Sequence, residues 1–159
     1  MARTVDRWEQ LDPHDQKNLL AALQELLQAS IDGESGYVEA ARGVEDPGLN
    51  FLLASFAAQR ATFRAQLANV LERLGRRGDP TPSVGGELHR MWSHARAILE
   101  RHEPVAIIAE CERGEHHALR KWESALQLAM PMEIESMLLD QASEIRKAHA
   151  GLERMRHPW

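Results

Sequence analysis

The segment Leu19-Leu20-Ala21-Ala22-Leu23-Gln24-Glu25-Leu26-Leu27-Gln28-Ala29-Ser30-Ile31-Asp32-Gly33-Glu34-Ser35-Gly36-Tyr37 decides the fold. Leu20, Leu23, Leu27, Ser30, Glu34, Tyr37 and Ala41 recur at spacings of three and four, the stripe that a bundle helix buries. Upstream, Asp12 is suited to cap the helix, Pro13 to its first position and Asp15 to its positive end. Downstream, Gly43 to Pro47 makes a short turn. A second stripe follows: Leu49, Leu53, Phe56, Arg60, Phe63, Leu67, Val70 and Leu74. Gly75 stops it, beside Arg73, Arg76 and Arg77.

The same period continues through the chain. Leu88, Met91, Trp92, Ala95, Ile98 and Leu99 lie on one side of a middle helix. Pro104 opens another helix, with Ile108, Cys111, Glu115, Ala118 or Leu119, Trp122 and Leu126 on its stripe. After a turn at Met130-Pro131 come Ile134, Leu138, Gln141, Ile145, Ala148, Leu152 and Met155. The reading is all-α in one domain over 1–159, with helices over 12–43, 48–74, 84–101, 104–129 and 131–156. Short turns make antiparallel neighbours, so two αα-hairpins are expected, joined by the middle helix as crossover. Strand signals are almost absent.

Composition narrows the function classes. The chain has 159 residues, 43% hydrophobic and 27% charged, as expected of a globular domain. Its formal charge of −5 opposes nucleic-acid binding by counterion release. No apolar run approaches a membrane span, and the middle helix mixes Arg90, Arg96 and Arg101 with Glu87 and Glu100, unlike a basic membrane-surface helix. The single cysteine and the lack of an apolar leader after Met1 lead us to expect a cytoplasmic protein.

Two glutamates, Glu34 and Glu115, interrupt otherwise apolar stripes, and a buried carboxylate needs a partner. One partner is a metal. Carboxylate-rich dinuclear bundles use one Glu from each of two helices and Glu-x-x-His from each of the other two. Glu34 and Glu115 stand where the single glutamates would be, but no Glu-x-x-His occurs in the chain. The last helix offers Asp140, Gln141, Glu144 and His149, a partial ligand set at the wrong spacing. Glu34, Glu115, Glu144 and His149 are thus an incomplete iron or divalent-metal set, and no cofactor is the primary expectation. Glu112 and His116, at i,i+4, with Glu115 and His117 alongside, form a separate small cluster that could take zinc or copper. A structural zinc site normally has four ligands, however, and a solvated face of glutamate and histidine is the expectation. The other partner is Arg60. It lies as far after Pro47 as Glu34 lies before it, which places the two at similar height in an antiparallel hairpin. The expectation is a structural polar layer of Glu34, Arg60, Glu115 and Gln141, with Arg60 as counter-ion to Glu34.

Several short motifs point to a family. Asp32-Gly33-Glu34-Ser35-Gly36-Tyr37, Leu88-His89-Arg90-Met91-Trp92 and Glu110-Cys111-Glu112-Arg113-Gly114-Glu115 resemble the bacterial ferritin-like four-helix bundles known as a domain of unknown function. Gln59-Arg60 with Phe63, and Gln141 followed by Ala148-His149, are similar to that family's second and fourth helices. The resemblance implies a ferritin-like up-down four-helix bundle with a helical crossover, and it implies no enzyme activity. The chain departs from the pattern at His116-His117, where an acidic residue followed by a small one is implied.

The expected function is that of a non-catalytic helical bundle acting through self-association or protein partners, in stress physiology. The alternative is an iron-binding or iron-oxidising protein of the ferritin and rubrerythrin type with a reduced ligand set. Apolar residues expected on outer faces, Val38, Leu139 and Trp8, suggest a homodimer.

Overall fold

The structure, a computed structural model, describes residues 3–76 and 104–156. Helix α1 runs over Pro13–Arg42. Its start is the one expected: Asp12 has extended backbone, its Oδ1 accepts the Asp15 amide at 2.8 Å, and proline follows at the first helical position. Helix α2, Pro47–Arg73, repeats the device, with the Asp46 carboxylate accepting the Leu49 amide at 2.8 Å. It ends before Gly75, whose φ of +83° is a left-handed conformation open to glycine at no steric cost. Helices α3, Pro104–Ala125, and α4, Met132–Arg156, form the second hairpin. The expected crossover helix over 84–101 lies outside the described residues.

Between α3 and α4 the structure departs from expectation. Helix α3 stops at Ala125, short of 129, where tighter turn bonds from Gln127 to Ser124 and from Leu128 to Ala125 close it. Met130-Pro131 is then a two-residue strand, β2, paired in parallel with β1 at Thr4–Val5. Two residues carry no readable alternation, so this ladder has no signal in the sequence.

Helix α1 packs along α2 and α3, and α4 along α3 and α2, which makes α2 and α3 the diagonal pair. One apolar cluster joins the N-terminal part of α1 (Leu19, Leu23, Leu26) to Leu67 and Leu71 of α2, Trp122 of α3 and Leu138 of α4. A second joins Tyr37 and Ala40 of α1 to Leu49 and Leu53 of α2, Ile108 and Cys111 of α3 and Leu152 of α4. The chain therefore leaves α2 at one end of the bundle and enters α3 at the other. Among the described residues no helix is long and apolar enough to cross a membrane.

The buried stripes of α2, α3 and α4 follow the sequence reading closely, with Ala118 rather than Leu119 facing inward and Met155 left exposed. In α1 the stripe is rotated. Leu19, Leu26, Gly33 and Ala40 are buried with Leu23, Leu27, Ser30, Tyr37 and Ala41, whereas Leu20 and Glu34 are only half-buried. At about 100° per residue the buried face is centred roughly 50° from the expected stripe, which keeps most of that stripe inside and carries only its edge, Leu20 and Glu34, outward.

Candidate functional site

Between the two apolar clusters lies a buried polar layer. Arg60 comes from the core stripe of α2 and Glu115 from that of α3, and their side chains are 3% and 0% exposed. Arg60 Nη2 donates to Glu115 Oε1 at 2.6 Å, across the diagonal of the bundle. The Tyr37 hydroxyl of α1 donates a very short hydrogen bond to the same oxygen. Arg60 Nη1 donates to Gln59 Oε1, and Gln59 Nε2 reaches the Glu144 carbonyl of α4 at 3.3 Å. Four helices are thus tied through one carboxylate–guanidinium pair. Glu115 Oε2 is buried with no hydrogen-bond partner among the described residues.

Aromatic rings wall the guanidinium. Arg60 Cζ lies 5.8 Å from the Tyr37 ring centroid and 5.6 Å from that of Phe63, within cation–π range. Gly33 lets the arginine pass: a Cβ there would lie 3.1 Å from Arg60 Nε and 3.2 Å from Cγ. About two turns further along, the indole N–H of Trp122 donates to Gln141 Oε1 at 2.8 Å, and Gln141 Nε2 donates to Gln66 Oε1 at 2.9 Å.

The electrostatics follow from burial. Burial first, then the negative Glu115, raises the Tyr37 phenol well above the ordinary tyrosine value. Burial works against the charge on Arg60, but Glu115 opposes it through charge and hydrogen bond, and the net shift is upward. Burial, with Glu115 and Glu110 behind it, pushes the Cys111 thiol up. A neutral phenol and a fixed guanidinium hold the Glu115 carboxylate in place, and neither they nor the protonated Cys111 thiol is an activated nucleophile.

Arg60, Glu115 and Gln141 are buried polar residues as expected, but the pairing differs. The cation beside Glu115 is Arg60, and Glu34 pairs instead with Arg64, Nη1 to Oε2 at 2.8 Å. That second bridge is partly open to solvent, with Glu34 23% and Arg64 42% exposed. The expected Arg60–Glu34 counter-ion pair is therefore corrected. The rotated stripe of α1 is the reason, since it turns Gly33 toward Arg60 and Glu34 toward the flank.

The sequence-based metal candidates are not gathered at the layer. Glu144 is exposed and pairs with Lys147 at 3.0 Å. His149 lies beside Glu112, its Nε2 4.0 Å from Oε1. Among the described residues, no three His, Cys, Asp or Glu side chains are arranged to hold a metal. The donor set at the layer does not suit a dinuclear centre, because the cation-facing oxygen of Glu115 is taken by a guanidinium.

The role of Tyr37 and the clearance at Gly33 were not anticipated. The tyrosine had a signal: a phenol on a buried stripe needs a hydrogen-bond partner. Gly33 had none, because its neighbour is supplied by another helix. Trp8, expected on an outer face, is half-buried against the first core cluster.

The described helices and their buried Arg–Glu–Tyr layer define an all-helical bundle with a charged core. The chain belongs to the family described as a domain of unknown function (DUF2383), whose model matches residues 18–128. That span holds α1 from Asn18 onward, α2 and α3, and with them Tyr37, Arg60 and Glu115; it stops short of α4 and Gln141. A comparison with curated proteins finds no match.

Proposed function

We propose that this protein is a ferritin-like up-down bundle in which an arginine–glutamate pair occupies the place of a metal centre, and that it acts through self-association or protein partners rather than by catalysis. The observation behind this reading is the 2.6 Å contact of Arg60 with Glu115 inside the bundle. A guanidinium supplies fixed positive charge and directed donors to the carboxylate that a metal ion would otherwise neutralise. The raised phenol and thiol agree with a structural layer, since both stay protonated at neutral pH. For self-association, Val38 and Leu139 remain 36% and 48% exposed. A homodimer is the expected assembly.

Two measurements test the reading. Ferrous iron added to the purified chain should be oxidised no faster than in buffer. Two tightly bound irons per chain with oxygen consumption would instead favour the iron-handling alternative. Sedimentation should give a dimer, and a monomer of about 18.0 kDa at every concentration would remove self-association.

A further inference from the structure

The structure brings together residues from two different parts of the sequence at the seam of α3 and α4. Glu112 and His116 lie one turn apart on α3, and His149 faces them from α4. The His116 and His149 rings have centroids 6.0 Å apart, and His149 Nε2 is 4.0 Å from Glu112 Oε1. The other oxygen of Glu112, Oε2, accepts from Arg156 Nη1 at 3.2 Å.

We propose that Glu112, His116 and His149 form a site for one divalent transition-metal ion of the borderline class (zinc, nickel or copper), clamping α3 to α4. Two imidazoles bound tetrahedrally to one ion at metal–nitrogen distances of about 2.0–2.1 Å have ring centroids roughly 5 Å apart, so the observed pair at 6.0 Å must close by about 1 Å. Neighbouring ligands around such an ion are about 3.3 Å apart, so Glu112 and His149 must close by less than about 1 Å. As placed, the three groups do not yet converge on one point. His116 is exposed and His149 partly so, and rotation of their side chains supplies the closure. Arg156 is the positioning partner: it holds Oε2 and leaves Oε1 on the side of His149, as outer-shell groups do for metal ligands. Two nitrogens and one oxygen favour borderline ions over magnesium or calcium, which take oxygen ligands. Three protein ligands leave the fourth position to water.

The test is calorimetric titration of the full chain with zinc chloride, repeated with magnesium chloride. One zinc per chain is expected, with no magnesium binding at the same concentrations. His116→Ala and His149→Ala should each weaken zinc at least tenfold, while His14→Ala, at an exposed histidine on α1, leaves it unchanged. Zinc should also raise the melting temperature of the parent and not of His149→Ala. If His149→Ala loses helicity, the exposed His116→Ala decides alone. Zinc affinity unchanged by His116→Ala, or no saturable binding to the parent, overturns the proposal.

Discussion

Arg60 and Glu115 meet at 2.6 Å across the diagonal of the bundle, from helices that barely touch elsewhere. The pair therefore does what neighbouring helix packing cannot, fixing α2 against α3 through the centre. Its removal should be asymmetric. Arg60→Met strands a buried carboxylate and is expected to cost ~3–5 kcal/mol, read from urea unfolding. The double variant Arg60→Met with Glu115→Met should lose far less, because no charge is left unpaired. An Arg60→Met protein as stable as the parent would show that the pair contributes nothing.

Tyr37→Phe keeps the ring against Phe56, 5.4 Å away between centroids, and removes only the hydroxyl that donates to Glu115. A hydrogen bond to a charged group is worth about 1.5–3 kcal/mol, and a loss of that size is expected. Combined with Glu115→Met, the same substitution should have little further effect. Additive losses in that cycle would separate the two residues.

Gly33→Ala sets two effects against each other. Alanine favours a helix by about 1 kcal/mol over glycine, but overpacking a filled core costs typically about 1–3 kcal/mol. With the new Cβ 3.1 Å from Arg60 Nε, crowding should win and the variant should be less stable than the parent. In an Arg60→Ala background all three crowding atoms of the side chain are gone, and Gly33→Ala should become neutral or stabilising. A stabilising Gly33→Ala in the parent would mean that the arginine stem yields.

Alkaline pH should weaken the fold. Tyr37 and Cys111 are the only tyrosine and the only cysteine of the chain, and burial raises both above their ordinary values of about 10 and 9. Above about pH 9 the unfolded chain loses these protons while the folded chain keeps them, so the native state binds more protons and stability falls with rising pH. The contribution is complete below those ordinary values and is lost as pH climbs toward the raised folded ones, by at most about 1.4 kcal/mol per pH unit for each group. Urea midpoints at pH 8, 10 and 11 measure the trend, and tyrosinate absorbance reports Tyr37 alone. Ionisation of the folded phenol near pH 10 would contradict its burial.

The start of α1 and the end of α2 were legible in the residues themselves, whereas the turn that stops α3 at Ala125 was not. Asp12 before Pro13 and Gly75 after α2 act through local hydrogen bonds and backbone sterics, which need no distant partner. The apolar periods of α2, α3 and α4 likewise named the buried faces, including Arg60, Glu115 and Gln141. Tertiary structure alone decided which carboxylate Arg60 meets. Equal distance from a turn sets the height of two residues in a hairpin, but not the rotation of each helix about its axis, and a rotation of roughly 50° put Gly33 rather than Glu34 at the core. The diagonal contact with Glu115, the Tyr37 hydroxyl on the same oxygen and the meeting of His149 with Glu112 depend on how the two hairpins pack together. No spacing within one helix encodes that arrangement.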